Sequence, residues 1–204
     1  MEKNNFDIEL VKIINIIYEL NNFSDHNINR LLDSFNYNLF LSRTVIYNEL
    51  KNKGKKYNNI CILGSWYGVW MVMMLNRLYP NCKITCIDIE PNLDKIAKRF
   101  YKELGYNVIF KETDALNYIR SNNMLEHDLI INYSCEHMND LNNYLKFNHC
   151  DYILQSNNND KCIEHTNCKY SLDEFVKSTG LGNVYSKIIK SFKNMERYTV
   201  FGTL

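Results

Sequence analysis

The sequence predicts an α/β protein: a doubly wound, mostly parallel seven-stranded sheet with an antiparallel C-terminal strand and an N-terminal helical cap. Three observations carry that expectation. The apolar run Ile60-Cys61-Ile62-Leu63 ends in the turn Gly64-Ser65-Trp66-Tyr67-Gly68, and Val69 to Leu78 follows with helical spacing. A second apolar run stops on acids at Cys86-Ile87-Asp88-Ile89-Glu90-Pro91. Five further short runs follow, most of them continuously apolar, as strands buried on both faces are.

The elements follow in order. Phe6, Ile8, Leu10, Val11, Ile13, Ile14, Ile17, Tyr18 and Leu20 form a broad apolar stripe at helical spacing. Ser24 and Asp25 can cap a second helix carrying Ile28, Leu31, Leu32 and Phe35, and Ser42 a third with Val45, Ile46 and Leu50 inward, ended by Gly54. Residues 1–55 are therefore assigned to a helical cap that packs on the sheet or covers its site, with a dimer surface as the weaker reading. Residues 56–204 are assigned to the sheet domain. Strands are expected near 59–64, 83–89, 107–112, 129–134, 151–156, 183–189 and 196–204. Pro91 and Gly105 bracket a helix over Asn92 to Leu104, and the Asn-rich stretch Ser156 to Asp160 reads as a loop. No internal repeat is present.

A strand, a Gly-containing turn, a helix and an acid-tipped strand make the nucleotide-binding half of a doubly wound sheet. The turn lets backbone N–H groups approach a ligand, and an acid about 20 residues on can accept from ribose hydroxyls. Asp88 fills that place, with Glu90 as the fallback. A dinucleotide turn needs glycines where this chain has Trp66 and Val69, and an indole there obstructs a pyrophosphate. The reading is an adenosine-bearing ligand other than NAD or FAD.

The turn resembles the G-x-G-x-G loop of class I S-adenosylmethionine-dependent methyltransferases, with Gly64 and Gly68 in the outer glycine positions. Trp66 stands where the middle glycine would be, and Ile62 where an acid often precedes the turn. The resemblance runs through Asp114-Ala115 after the third strand, His127 to Met138 around the fourth, and Glu196 to Leu204 as the closing strand. It implies S-adenosylmethionine as cofactor, Asp114 as acceptor for the adenine amino group, and reacting groups on the turn after the fourth strand. Gly64, Ser65, Trp66, Tyr67, Gly68, Asp88, Ile89, Asp114, Ala115 and Asn132 become the candidate cofactor contacts. The turns G-x-W-Y-G and S-C-E-H also resemble those of phage-type methyltransferase-like proteins.

Methyl transfer from a sulfonium needs an aligned acceptor and a group that handles one proton. Asn132 can hold an amine or amide, Glu136 can orient a cation or take a proton, and His137 supplies an imidazole base. These three are the candidate catalytic residues; the competing account makes Glu136 a helix cap and Cys135 small packing. Arg43 can bind a carboxylate through two parallel hydrogen bonds, that of the cofactor included, or can sit in a surface salt bridge. Arg43, Tyr133, Glu164 and His165 are the candidate substrate contacts. Cys162, His165, Cys168 and the upstream His149-Cys150 are metal-ligand types, yet paired C-x-x-C units are missing and no metal is expected. His26 and His127 read as structural or solvent-exposed.

Composition sets outer limits. A chain of 204 residues holds one such domain with an appendage, and a formal net charge of +1 offers no field to gather nucleic acid. Seven cysteines without a signal-peptide pattern imply a reducing cytoplasm, and no run is long enough to span a membrane. With no Asn/Asp-Pro-Pro-aromatic turn and no basic stripe, the expected acceptor is a small molecule. Alternatives are a nucleotide or nucleic-acid acceptor, an enzyme that cleaves the cofactor or transfers its aminoalkyl arm, and a non-catalytic binding or structural protein. Oligomeric state is left open by the sequence.

Overall fold

The computed structural model describes residues 3–20, 25–121, 123–138, 145 and 150–204. Three helices, α1 (Lys3–Leu20), α2 (Asp25–Asp33) and α3 (Tyr37–Lys53), precede β1 (Asn59–Leu63). Then come α4 (Val69–Leu78), β2 (Lys83–Asp88), α5 (Leu93–Leu104), β3 (Val108–Glu112), α6 (Ala115–Arg120) and β4 (Leu129–Asn132). A 3-10 turn at Cys135–His137 leads to β5 (Asp151–Asn157), α7 (Leu172–Thr179), β6 (Asn183–Phe192) and β7 (Met195–Thr203).

The strands form one sheet in the order β3-β2-β1-β4-β5-β7-β6. β1 pairs in parallel with both β2 and β4, so the strand order reverses beside it, where doubly wound sheets open a crevice for ligands. β7 runs antiparallel to β5 and to β6. Successive residues of β1 serve different cores. Ile60 and Ile62 pack under α1, α3, α4 and α5, while Cys61 and Leu63 pack with Ile119, Leu145 and Phe175 on the opposite face. This two-sided burial is why the strands read as unbroken apolar runs. Edge strand β6 instead alternates exposed and half-buried residues along its length.

The N-terminal helices share the first core through Ile13, Ile16, Leu31, Ile46 and Leu50. The stripe of α1 is divided: Ile13 and Ile16 are buried, while Val11, Ile14 and Tyr18 are exposed, and the helix packs on α5 rather than over the crevice. Ser24 lies outside the described residues. The cap of α3 is not Ser42 but Asn36, whose side chain accepts from the Asn38 N–H at 2.8 Å. Ser42 sits a turn and a half inside the helix, where its hydroxyl donates to Gln155 Oε1 at 2.9 Å. Gly54 closes α3 in the left-handed conformation, as its position suggests. On either side of it, Lys53, Lys55 and Tyr57 all donate to Asp151 at the foot of β5.

Boundaries shift by a few residues elsewhere. Helix α5 starts after Asn92, two residues beyond Pro91, and α7 is an element that the sequence reading did not anticipate. No described helix is long and apolar enough to cross a membrane.

Candidate functional site

A cavity of about 750 Å³ opens at the carboxyl ends of β1, β2 and β4. Gly64, Ser65, Trp66 and Gly68 form one wall, and Asp88, Ile89, Asp114 and Ala115 a second. Tyr133, Glu136 and His137 come from the turn after β4, and Glu164 and His165 from the segment after β5. Arg30, Ser34, Leu39 and Arg43 reach in from α2, α3 and the turn between them, so these helices cover the crevice.

The first turn is built by three positive φ values: Gly64 at 61°, Trp66 at 47° and Gly68 at 66°. A left-handed tryptophan is costly for a bulky side chain and shows what a glycine would supply there. The turn is held from two sides. Asp88 Oδ2 accepts the Trp66 backbone N–H at 2.6 Å, and the Tyr133 hydroxyl donates to Ser65 O at 2.6 Å. A Cβ on Gly64 would stand 2.4 Å from Met138 Cε and 3.1 Å from Ser134 Cβ, so the two turns touch because this residue has no side chain. The Trp66 indole Nε1 is buried without a hydrogen-bond partner among the described residues.

Asp88 keeps both oxygens at work, since Oδ1 accepts from the Glu90 N–H at 2.9 Å. Burial pushes its carboxyl above the ordinary value, against the Trp66 N–H. Glu90 is engaged elsewhere, paired with Arg30 of α2. Asp114 caps α6, accepting from the Asn117 N–H at 2.9 Å, and still lines the cavity. Ile89 is 69% exposed at the rim.

The side of the cavity around Arg43 and Glu136 is a buried polar cluster. The Arg43 guanidinium lies 3.6 Å from the Tyr133 ring centroid, and its Nη1 donates to Gln155 Oε1 at 2.7 Å and to Ser42 Oγ at 3.0 Å. Burial lowers Arg43 to about 10, so it stays charged at neutral pH. It is no surface salt bridge: no described carboxylate pairs with it. Glu136, 2% exposed, receives Asn157 Nδ2 on Oε1 and has Arg197 Nη2 at 3.3 Å from the same oxygen. Its Oε2 is buried without a partner among the described residues.

The His165 segment folds back onto the β4 turn. Asn167 N donates to Glu136 O at 2.9 Å and Asn167 Nδ2 to Met138 O at 3.0 Å. The result is an edge-on contact between His137 and His165, with ring centroids 4.5 Å apart.

Two candidate residues point elsewhere. Asn132 is fully buried and is not a cavity residue; its Oδ1 accepts from Ser134 N at 3.0 Å, and its Nδ2 lies 3.5 Å from Met138 Sδ. Tyr67 is buried in the core, its carbonyl accepting the Tyr101 hydroxyl at 2.8 Å. Cys135 is likewise buried away from the cavity, and His149 lies outside the described residues. Arg30, Ser34, Trp70, Met138 and Arg197 line the cavity without having been singled out.

Comparison with solved structures places this architecture. The chain has the class I methyltransferase fold. It superposes on the mitomycin 7-O-methyltransferase MmcR with a TM-score of 0.62 at 10% identity, over 92% of this chain and 60% of that one. MtNAS in complex with MTA and tNA gives 0.60 at 14% identity, over 97% and 70%. The N-terminal domain of EvdMO1 with SAH bound gives 0.55 at 11% identity, over 79% and 80%. At such identities the likeness is one of fold. No protein-family model and no curated protein matches the sequence.

Proposed function

We propose that this chain is an S-adenosylmethionine-dependent methyltransferase acting on a small molecule. One observation carries the reading: the glycine turn, the acids Asp88 and Asp114, and the Glu136-His137 turn line a single cavity at the reversal of strand order. Its volume of about 750 Å³ suits a nucleoside cofactor and a small acceptor together, and lies within the range of small-molecule sites. SAH bound to EvdMO1 and the reaction named for MmcR support the choice of cofactor and of chemistry.

In this reading Asp88 accepts from a ribose hydroxyl with the lone pair left by Trp66, Ile89 and Glu90. Asp114 and Ala115 face the adenine, with Ile89 against its ring. The cofactor's carboxylate meets Arg43, which Ser42, Gln155 and Tyr133 hold in place. Glu136 and His137 stand on the acceptor side, where alignment and proton removal are needed. Covering helices α2 and α3 exclude water from the transfer.

Calorimetry with S-adenosylmethionine and S-adenosylhomocysteine tests the pocket. Incubation of the protein with methyl-labelled cofactor, a metabolite extract and nucleic acid, read by mass spectrometry, tests the reaction. A labelled small-molecule product is expected. Label in nucleic acid, or a product heavier by the aminoalkyl arm, would replace this reading.

A further inference from the structure

Glu136, His137 and His165 each present a ligand atom to the same point of the cavity, all within 4.8 Å of one another. We propose that they bind a divalent transition-metal ion, zinc or ferrous iron in type, with an open coordination position toward the acceptor.

Three features of the cluster argue for an ion rather than a chance meeting of side chains. The first is the bare oxygen of Glu136. Asn157 and Arg197 fix Oε1, while Oε2 is buried with no partner among the described residues. A buried carboxylate oxygen left so carries its full desolvation cost. No hydrogen bond joins it to either imidazole, which leaves its lone pairs free for an ion.

The second is the orientation of His165. Its Nδ1 lies 2.6 Å from Asn159 O, and a carbonyl only accepts, so Nδ1 carries the hydrogen. The neutral ring then keeps its lone pair on Nε2. Outer carbonyls orient metal-binding histidines in this way.

The third is the donor set and its spacing. Ligand atoms bonded to one zinc at about 2.0–2.1 Å lie some 3–3.5 Å apart, and rotation of exposed His137 closes the remaining distance. Two imidazoles and one carboxylate suit zinc or ferrous iron and disfavour magnesium and calcium. Three protein ligands also leave one position for a small molecule, and all three residues line the cavity. Buried Arg43 and Arg197 add positive charge nearby, which favours an anionic oxygen or nitrogen donor in that position. The ion's role toward the acceptor rests on the proposed methyl transfer, but its binding does not.

The test is calorimetric titration of chelator-treated full-length protein with Zn²⁺, and with Co²⁺ for its visible absorption. One equivalent is expected with a dissociation constant below about 1 µM. His165→Ala and His137→Ala, both on partly exposed side chains, should each weaken binding by about tenfold or more, since even outer partners of a site are worth 10–100-fold. Mg²⁺ at millimolar concentration should not compete. Cys162→Ser/Cys168→Ser should bind as the parent does. No binding at micromolar Zn²⁺, binding unmoved by both histidine variants, or binding abolished by the cysteine pair would each overturn the site. S-adenosylhomocysteine affinity of the metal-free protein is measured alongside. Loss of that affinity would count against the methyltransferase reading and leave the metal result standing.

Discussion

The Asp88 carboxylate accepts the backbone N–H of Trp66 at 2.6 Å, so the acid at the end of β2 shapes the glycine turn as well as lining the cavity. A carboxylate offers about four lone-pair sites, and the backbone N–H groups of Trp66, Ile89 and Glu90 take three of them. Asp88→Ala removes the proposed ribose acceptor and releases Trp66, which sits in the left-handed region. The cost of an unpaired buried partner is about 1–3 kcal/mol, so S-adenosylhomocysteine affinity should fall by about 10- to 100-fold. Calorimetry on the folded variant reads this, and unchanged affinity would remove Asp88 from the pocket.

Arg43 makes a second, separable prediction. Its guanidinium is stacked on Tyr133 and anchored by Gln155, and no described carboxylate lies within ion-pair distance, Glu136 acting on it only from farther off. A ligand carboxylate gains a charge-assisted hydrogen bond there, typically worth about 1.5–3 kcal/mol. Arg43→Met should therefore weaken S-adenosylhomocysteine by about tenfold or more. It should leave 5′-methylthioadenosine, which lacks the carboxylate, within about threefold. Equal losses for both ligands would mean that Arg43 serves the fold or the acceptor instead.

Stability should fall in mildly acid solution because of His127. The imidazole is 2% exposed, its Nε2 lies 3.0 Å from the Tyr118 hydroxyl, and Nδ1 has no described partner. Burial pushes its pKa from 6.5 down to about 4. Between those values the unfolded chain binds the proton and the folded one does not. The stability present above pH 6.5 is thus lost progressively as pH falls toward 4, by about 3 kcal/mol in full. Urea midpoints measured from pH 7 to pH 4 should show this slope, and His127→Gln should flatten it. An identical slope in the variant would assign the loss to other groups.

The sheet was legible because β1 and β4 are continuous apolar runs and β2, β3 and β5 carry shorter ones, punctuated by Gly64, Asp88, Asp114 and the turn after Asn132. Those punctuation marks also gave most of the cavity wall. What the sequence hid was direction and long-range contact. Asn132 and Tyr67 occupy the right turns, but Asn132 Oδ1 turns in to accept the Ser134 N–H and the Tyr67 ring packs in the core. Ser42 has the residue type of a cap, yet Asn36 precedes a longer helix and takes that role. In α7 only Phe175 and Thr179 are buried, too few to set a period over eight residues. His165 was visible as a residue type, but its meeting with His137 depends on Asn167 bonding back to Glu136 and Met138. No local pattern encodes that fold-back.

Glu136 and His137 should separate stability from turnover. Both face the cavity, yet only Glu136 is tied into the core, through Asn157 on β5 and Arg197 on β7. Glu136→Gln leaves the buried Arg197 without its counter-charge, and breaking such a pair costs about 3–5 kcal/mol. That variant should lose stability along with activity. His137 is exposed to the cavity, and among the described residues no hydrogen bond from its ring supports the fold. His137→Asn should therefore unfold at the parent temperature and keep S-adenosylhomocysteine affinity within about threefold. In the metal-free protein its turnover, measured once the labelled product identifies an acceptor, should fall by about 10²–10⁴-fold if the imidazole takes the acceptor's proton. A loss confined to KM would make His137 a binding contact. Parent-like kcat and KM together would remove it from the reaction.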